Sequence, residues 1–147
     1  NLSALAADTV ERTRALAAAR VVALDLVPDG VVEAFVDPNQ LRQALDNLLR
    51  NAIDATPEGG RVTMAVRREG AGSFIEVKDT GRGIEPEELP RIFDLYFTTK
   101  SDGTGVGLAV TQQIVAGHGG TIEVESRPGA GTTMTVRLPD GKGTRSA

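Results

Sequence analysis

Residues 37–55 have the sequence DPNQLRQALDNLLRNAIDA and carry the strongest helix signal in the chain. Asp37 can cap the helix, Pro38 suits its first position, and Gln40 completes a capping box. Apolar residues recur at helical spacing along one side, and a proline and two glycines directly afterwards end the pattern. The stretch therefore predicts an amphipathic helix over residues 39–55.

Alternating apolar residues on both sides of this helix predict β-strands that fall in pairs. The predicted pairs are residues 22–26 with 31–36, 62–66 with 74–79, and 122–124 with 134–138. Two further helices are predicted at residues 2–20 and 106–116. Because the strands come in pairs and are not separated one by one by helices, the order favours an α/β fold. The expected architecture is a two-layer α/β sandwich, a mixed sheet with three main helices on one face.

The composition fits one globular domain and excludes several classes of site. Of the 147 residues, 40% are hydrophobic and 24% are charged, and no apolar run approaches the roughly 20 residues that span a bilayer. The absence of cysteine and the single histidine exclude thiolate chemistry and a multi-histidine metal site in this chain. The net charge of −4 argues against a nucleic-acid partner. We expect one domain over residues 1–147 with a frayed tail at residues 141–147, taken from a longer protein because the chain starts at Asn1.

Three polar side chains lie on one face of the predicted helix. Asn47, Asn51 and Asp54 are separated by four and three residues, which is the spacing of neighbours on a helix surface. A solvated helix face is one interpretation. Asparagine is, however, a poor helix former, and neutral amide oxygens suit Mg²⁺ that is shared with phosphates. The face is therefore a candidate magnesium site.

A carboxylate ends the strand predicted at residues 74–79. Asp79 falls on the same face of that strand as Ile75 and Val77, which is the apolar face, and residues 79–83 have the sequence DTGRG. A buried carboxylate is costly unless it is hydrogen-bonded. Asp79 can cap the turn at the strand end, or it can accept hydrogen bonds from the amine of a ligand that the glycines allow to approach closely.

A glycine-rich loop at residues 103–107, GTGVG, leads directly into the third predicted helix. Backbone N–H groups at a helix N-terminus bind anions. The loop lacks the G-x-x-x-x-G-K-[ST] string of the P-loop, and it has neither the spacing nor the preceding strand of the dinucleotide fingerprint. By itself it is weak evidence for a phosphate site.

Aromatic residues are concentrated in the irregular stretch before this loop. Three of the five aromatic residues, Phe93, Tyr96 and Phe97, fall within five positions. Clustered aromatics usually anchor a core, but a long loop inside a compact domain is often a lid over a ligand. We expect a lid over residues 84–104.

Taken in order, these four blocks resemble the N, G1, F and G2 boxes of the catalytic ATP-binding domain of bacterial sensor histidine kinases. That domain belongs to the superfamily shared with gyrase, the heat-shock chaperone ATPases and the mismatch-repair ATPases. The boxes correspond to residues 45–52, 79–83, 93–97 and 103–107, and the resemblance covers residues 36–138. It implies the two-layer Bergerat-type sandwich. The Phe-Thr-Thr-Lys string and the short lid resemble the nitrogen-regulation-type branch.

The resemblance implies a role for each matched residue. Asn51 would coordinate Mg²⁺, with Asn47 beside it near the phosphates as a second catalytic residue. Asp79 would accept a hydrogen bond from the adenine amine, while Gly81 and Gly83 would let the chain pass under the base. The implied ATP site comprises Asn47, Asn51, Asp79, Gly81, Gly83, Lys100, Gly103, Thr104, Gly105, Val106, Gly107 and Leu108.

Two positions depart from the family pattern. Asp54 stands where many members carry a basic residue, so the matching phosphate contact would fall to Arg50, Arg82 or Lys100. Leu95 replaces a common proline of the F box, which leaves the shape of the lid open.

Asn47 distinguishes a kinase from a hydrolase within this superfamily. Hydrolytic relatives typically carry a glutamate there that activates water, and a neutral amide cannot act as that base at neutral pH. The γ-phosphoryl group would be kept for another nucleophile, which in the family is a histidine on a separate dimerisation domain. His118, the one histidine here, is interpreted as a turn or packing residue and not as the acceptor.

The resemblance therefore implies a protein-histidine kinase catalytic domain that uses ATP and Mg²⁺. Its implied partners are the histidine-bearing dimerisation domain of a homodimeric parent kinase and a downstream response regulator. The chain itself is expected to be a cytoplasmic monomer, whether or not the parent has a membrane anchor. The alternatives are a nucleotide-sensing module without catalysis, an ATP-hydrolysing relative, and an interaction domain without a ligand. The last of these leaves Asp79 on an apolar face unexplained.

Overall fold

The computed structural model describes residues 1–27, 32, 36–70, 72–93 and 107–139. Within them, five strands form one mixed sheet in the order β1-β2-β3-β5-β4. The elements in chain order are α1 (Leu2–Ala19), β1 (Ala23–Val27), α2 (Pro38–Ala55), β2 (Arg61–Glu69), β3 (Gly72–Asp79), a 3₁₀ turn (Leu89–Arg91), α3 (Gly107–Gly117), β4 (Thr121–Arg127) and β5 (Gly131–Leu138). The predicted mixed-sheet α/β sandwich is confirmed.

Two of the three predicted strand pairs are confirmed, and the partner predicted for the first, residues 31–36, lies mostly outside the described residues. β2 pairs with β3, and β4 with β5, both antiparallel as expected. β1 runs parallel to β2, with Leu24 opposite Val62, a pairing that the sequence did not predict. Because α2 lies between β1 and β2 in the chain, this helix serves as the crossover that a parallel pair requires.

Val32, a described residue within the expected return strand at residues 31–36, contacts the start of α1. Its carbonyl oxygen accepts hydrogen bonds from the N–H groups of Leu2 at 2.9 Å and Ser3 at 3.2 Å, and its own N–H donates to the Ser3 hydroxyl at 2.8 Å. Val32 and Val36 belong to no strand, and residues 31 and 33–35 lie outside the described residues. The backbone of Val32 is thus used to satisfy the first turn of α1.

The N-terminus of α2 is capped as expected, with one difference. Oδ1 of Asp37 accepts hydrogen bonds from the N–H groups of Asn39 at 2.9 Å and Gln40 at 3.2 Å, and Pro38 begins the helix. The capping box predicted that Gln40 would bond the Asp37 N–H. Instead, that N–H donates to Nε2 of His118 at 3.0 Å, so the end of α3 completes the cap.

The core lies between the helices and one face of the sheet. One side of α2 is fully buried in it, and its buried residues are Leu41, Ala44, Leu45, Leu48, Leu49, Ala52 and Ile53. They pack with Leu2 of α1, Met64 of β2, Ile75 of β3 and Val136 of β5. Burial of each large aliphatic side chain contributes about 1.5–3 kcal/mol, so this stripe fixes the position of α2 and of the polar face on its other side.

The link between α1 and β1 contains a strained residue. Val21 has φ of 55°, which is rare for a β-branched residue, and 56% of its surface is exposed. Its carbonyl oxygen accepts a hydrogen bond from the N–H of Gly59 at 2.7 Å, which ties this link to the turn between α2 and β2. Since the exposed side chain gains little from burial, the surrounding hydrogen bonds are what keep the Val21 backbone at its positive φ.

Replacement of Val21 with asparagine should therefore stabilise the fold. Asparagine tolerates a positive φ, so we expect Val21→Asn to raise the free energy of unfolding by about 1 kcal/mol. Urea denaturation followed by circular dichroism measures the change. The matched control is Val27→Asn, because Val27 is 40% exposed in the regular strand β1 and should lose stability on the same replacement. Equal losses in both variants would contradict the strain at Val21.

Candidate functional site

Asp79, the last residue of β3, is buried as its position on the apolar face predicts. It is 6% exposed, against 0% for Ile75 and 3% for Val77 on the same face. Its Oδ1 accepts hydrogen bonds from the N–H groups of Gly81 at 2.8 Å and Thr132 at 3.2 Å. Burial raises the pKa of the Asp79 carboxyl, and this effect outweighs the opposing effects of the two hydrogen bonds and the charge of Arg82.

The two carboxylate oxygens of Asp79 differ in their contacts with the described part of the chain. Both hydrogen bonds above end on Oδ1, and none of the described residues donates to Oδ2. A carboxylate with one oxygen held by the backbone and one left as an open acceptor is well suited to a polar hydrogen donor. The arrangement can therefore select an amine or amide group at the end of β3.

The two glycines after Asp79 are required by packing. A Cβ on Gly81 would overlap the carbonyl oxygen of Ala55, and a Cβ on Gly83 would overlap the carbonyl oxygen of Arg127. Between the glycines, the N–H of Arg82 donates to the Ala55 oxygen at 3.1 Å. The segment 79–83 is thus held between the end of α2 and the turn from β4 to β5. Its predicted passage under an adenine base stays a prediction.

A hydroxyl pair supports the same segment, and sequence reasoning missed it. The N–H of Ile84 donates to the Ser126 hydroxyl at 2.8 Å, and that hydroxyl lies 2.7 Å from Oγ1 of Thr132. Thr132 also holds Asp79 through its N–H. Serine and threonine at the ends of an alternating strand pair are common, so no sequence signal distinguished these two.

Asn47 joins the polar face of α2 to the start of α3. Its Nδ2 donates to the carbonyl oxygen of Gly107 at 3.2 Å and to Oγ1 of Thr111 at 3.3 Å. The Thr111 hydroxyl in turn donates to the Gly107 oxygen at 2.8 Å. The structure therefore brings the predicted N-box residue Asn47 together with Gly107. Thr111, fully buried, was missed, although a threonine one turn after Gly107 on an apolar helix face could have suggested it.

Asn51 and Asp54 lie further along α2, towards the segment that contains Gly81. Asn51 is half-buried one turn after Asn47. Oδ1 of Asp54 lies 3.4 Å from Nη1 of Arg20, the residue directly after α1, and the Asp54 carbonyl oxygen accepts a hydrogen bond from Nη1 of Arg82 at 3.4 Å. Two cationic side chains therefore meet the last turn of α2.

The side chains fit a magnesium ion only if it is shared with a ligand. The part of the chain that the structure describes holds no group of three or more histidine, cysteine, aspartate or glutamate side chains that could bind a metal by themselves. Mg²⁺ commonly takes one or two protein oxygens and completes its shell with water and substrate phosphates. An amide oxygen of Asn51 fits that pattern, and a resident metal held by carboxylates does not.

Several predicted site residues lie outside the described residues. These are Lys100, Gly103, Thr104, Gly105 and Val106, together with most of the predicted lid, including Leu95, Tyr96 and Phe97. Phe93 is described and packs against the core. At the other end of the glycine-rich loop, Gly107 begins α3 and Leu108 packs against the core.

His118 has the packing role that its sequence context predicts. Nδ1 lies 2.8 Å from the carbonyl oxygen of Ile114, and Nε2 accepts the hydrogen bond from the N–H of Asp37. The neutral imidazole with a proton on Nδ1 satisfies both contacts. Both ring nitrogens are thus occupied in holding α3 to the cap of α2.

Residues 36–142 match the family described as histidine kinase-, DNA gyrase B- and HSP90-like ATPase. The chain belongs to this family. Sensor histidine kinase ZraS of Escherichia coli (strain K12) is 48% identical over 111 residues, which cover 76% of this chain and 24% of that protein. Sensor histidine kinase WalK of Bacillus subtilis (strain 168) is 39% identical over 121 residues, covering 77% of this chain and 20% of that protein. The chain thus spans about a quarter of the length of these relatives.

Solved structures of histidine kinases in this family have the same fold. The nucleotide-free catalytic domain of ThkA superposes with a TM-score of 0.87 at 28% identity, covering 95% of this chain and 93% of that domain. Full-length ShkA in complex with AMPPNP superposes with a TM-score of 0.85 at 27% identity, covering 95% of this chain and 30% of ShkA. The chain therefore corresponds to the catalytic domain of a sensor histidine kinase. Among the described residues, no helix has the length and hydropathy needed to cross a membrane.

Gly83 and Gly129 provide a matched test of the packing around residues 79–83. Both have a positive φ, +74° and +76°, but a Cβ meets the Arg127 oxygen only at Gly83 and meets nothing within 4 Å at Gly129. We expect Gly129→Ala to lose about 1 kcal/mol of stability through its backbone conformation alone, and Gly83→Ala to lose at least about 2 kcal/mol more. Equal losses in urea denaturation would contradict the close approach at Gly83.

Proposed function

We propose that this domain binds Mg·ATP and transfers the γ-phosphoryl group to a histidine on a separate domain of its parent kinase. The observation that carries the proposal is Asp79, a buried carboxylate at the end of β3 whose Oδ2 receives no hydrogen bond from the described residues. In a family of ATP-binding catalytic domains, the adenine amine is the hydrogen donor that fits it. ShkA, which has the same fold, is described in complex with the ATP analogue AMPPNP, which supports the same substrate class.

At the other end of the site, the polar face of α2 would receive the phosphates. Asn51 would hold Mg²⁺ through its amide oxygen, and the ion would supply charge neutralisation at the β- and γ-phosphates. Asn47 holds Gly107 and Thr111, so it fixes the N-terminus of α3, where backbone N–H groups can meet phosphate oxygens. Lys100 and the glycines at residues 103–105 are the further phosphate contacts that we propose.

The amide side chain of Asn47 favours transfer to a protein acceptor over hydrolysis. An amide has no basic atom at neutral pH, so it cannot take a proton from an attacking water. Phosphoryl transfer depends mainly on position and charge, which the proposed site supplies. The acceptor we propose is the histidine of a dimerisation domain in a homodimeric parent, with a response regulator downstream. His118 is excluded as acceptor because both of its ring nitrogens hold structural contacts.

Two alternatives give different outcomes in the same experiments. A nucleotide-sensing module would bind Mg·ATP without transfer, and an ATP-hydrolysing relative would turn ATP over without a partner domain. Because ATP is the proposed substrate, the reaction would take place in the cytoplasm. Assignment to the nitrogen-regulation-type branch stays a prediction.

Asp79→Asn tests the adenine end of the site. Asparagine presents an N–H where the carboxylate presents an acceptor, so the preference for ATP over GTP should fall about 10- to 150-fold, as expected for a lost charged hydrogen bond of about 1.5–3 kcal/mol.

The same variant should also change the stability of the fold. Because burial raises the pKa of Asp79, the folded chain binds the carboxyl proton more tightly than the unfolded chain does. Stability is therefore lost as the pH rises from the ordinary aspartate pKa through the raised pKa, and the full cost of ionised Asp79 is present above it. Without nucleotide at pH 7.5, Asp79→Asn should consequently be more stable than the parent.

The same pKa sets a pH dependence with a definite sign. The proposed contact needs ionised Asp79, so the preference for ATP should fall as the pH is lowered through the raised pKa, at a higher pH than an exposed aspartate would give. Asp79→Asn should lack this dependence. Asp25→Asn is the control, because Asp25 is an exposed strand carboxylate in β1 paired with Arg61. If titration calorimetry showed that Asp79→Asn keeps the parent's preference for ATP over GTP, the proposed position of the adenine site would be wrong.

Asn51→Ala tests the metal end of the site and the reaction. The parent chain should bind Mg·ATP in the micromolar to sub-millimolar range, and Asn51→Ala should weaken binding most when Mg²⁺ is present. Asn39→Ala is the control, since it makes the same change on the exposed first turn of α2.

With γ-labelled ATP, the chain alone should neither label itself nor release phosphate quickly. A matching histidine-bearing domain should become labelled, and this labelling should need Asn51 and survive His118→Ala.

Each contrary result has its own meaning. Absence of saturable binding at millimolar Mg·ATP would remove the proposal. Binding without label transfer would support the nucleotide-sensing module, fast phosphate release by the chain alone would support the hydrolase, and acid-labile phosphate on His118 would show an acceptor that we exclude.

A further inference from the structure

The hydroxyl of Thr111 lies between the first residue of α3 and the Asn47 side chain. Thr111 is 0% exposed, and its Oγ1 donates to the carbonyl oxygen of Gly107, four residues earlier, at 2.8 Å. The same Oγ1 accepts a hydrogen bond from Nδ2 of Asn47 at 3.3 Å, and Nδ2 also donates to the Gly107 oxygen at 3.2 Å. Thr111 lies outside the four boxes on which the resemblance to histidine kinases rests, so the resemblance gives it no role.

The directions of these hydrogen bonds fix how the Asn47 amide is turned. A carbonyl oxygen can only accept, so the Thr111 hydroxyl donates to Gly107 and presents lone pairs to Asn47. Asn47 therefore turns its NH₂ group towards two acceptors, and its oxygen is directed away from them. The reversed amide would bring an oxygen against both acceptors, which makes that orientation unfavourable.

The Asn47 oxygen lies beside the start of α3. A Cβ on Gly107 would lie 3.8 Å from Oδ1, at ordinary contact distance, and Oδ1 receives no hydrogen bond from the residues that the structure describes. Asn47 and Asn51 are one turn apart along α2 and about 40° apart around it, so both amides lie on one face. An amide oxygen suits a metal ion or a water that the ion holds, whereas phosphate oxygens repel it.

We propose that Thr111 is a positioning residue for Mg·ATP binding, which keeps the oxygen of the Asn47 amide directed at the metal-bound nucleotide. The inference rests on the proposed binding of Mg·ATP. Thr111 need not touch the nucleotide, because it acts through the orientation of Asn47. Without its hydroxyl, one of the two acceptors that hold Nδ2 is lost, and the two orientations of the amide become closer in energy.

Thr9 in α1 provides a matched control. It is also 0% exposed, and its Oγ1 donates to the carbonyl oxygen of Leu5, four residues earlier, at 2.8 Å. Within the described part of the chain, no side chain donates to the Thr9 hydroxyl. The two threonines therefore share their burial and their helical hydrogen bond, but of the two only Thr111 holds an amide at the proposed site.

The first measurement needs no nucleotide. NMR of the ¹⁵N-labelled chain observes the side-chain NH₂ of Asn47, which is assigned by its loss in Asn47→Ala. Thr111→Val removes the hydroxyl at nearly constant volume, so the Asn47 NH₂ protons should exchange with solvent about three- to tenfold faster than in the parent, the factor that one neutral hydrogen bond supports. Thr111→Ser and Thr9→Val should leave this exchange unchanged. Parent-like exchange in Thr111→Val would overturn the inference.

The second measurement is the affinity for ATP by titration calorimetry, with Mg²⁺ and with EDTA in its place. Thr111→Val should weaken binding about three- to tenfold with Mg²⁺, by the same reasoning, and less in EDTA. Thr111→Ser loses a buried methyl group, so it should be less stable than the parent yet bind Mg·ATP like it. Thr9→Val should lower the melting temperature about as much as Thr111→Val and leave the affinity unchanged.

A double-mutant cycle separates an effect through Asn47 from an independent one. Asn47→Ala should itself weaken Mg·ATP binding, and Thr111→Val in that background should cause little further loss, because no amide is left to orient. Additive losses would contradict a role through Asn47.

Failure of this inference differs from failure of the proposed function. A parent chain that binds no Mg·ATP overturns both. If the parent binds Mg·ATP, the role of Thr111 is overturned by parent-like affinity in Thr111→Val, by an equal loss in EDTA, by an equal loss in Thr9→Val, or by failure of Thr111→Ser to bind like the parent.

Discussion

The buried carboxylate of Asp79 is the constraint on which the rest of the site depends. A carboxylate that is 6% exposed must be hydrogen-bonded, and here two backbone N–H groups from different parts of the chain meet its Oδ1. One belongs to Gly81 in the segment after β3, and the other to Thr132 in β5. These bonds fix the orientation of the carboxylate before any ligand arrives. The raised pKa shows that they compensate only part of the cost of burial. The fold therefore keeps an incompletely satisfied acceptor at the point where specificity for a base is proposed.

The end of α2 is where the remaining elements meet. The Ala55 carbonyl oxygen accepts a hydrogen bond from the Arg82 N–H and excludes a side chain at Gly81. Asp54, one residue earlier, meets Arg20 at the end of α1. The buried stripe of α2 sets the depth and rotation of the helix, so a shift of α2 would move Asn47, Asn51 and the contacts of its last turn together. The proposed metal and base contacts are thus attached to one rigid helix and the strand beside it, an arrangement that favours precise positioning.

Local patterns predicted the elements and several contacts, whereas contacts between distant residues remained hidden. Asp37 and Pro38 marked the start of α2 because capping depends on neighbours in sequence. Alternation on β3 predicted the burial of Asp79 because side chains of a strand change face at every residue. The parallel pairing of β1 with β2 was missed because alternation reveals a strand but not its partner. The His118 contact with the Asp37 N–H joins residues 81 positions apart, and no local rule prefers it to Gln40.

Asn47 shows how a residue at the proposed reaction site is also constrained by packing. The carbonyl oxygen of Gly107 accepts from both the Asn47 amide and the Thr111 hydroxyl, so Oγ1 of Thr111 can present only lone pairs to Asn47. A glutamate at position 47 would bring a carboxylate to two acceptors and would have no N–H to offer either. The loss of such a hydrogen bond in a half-buried contact costs about 1–3 kcal/mol, and the start of α3 would have to move. In this chain, the amide that provides no base for water is therefore also the group that the contact between α2 and α3 requires.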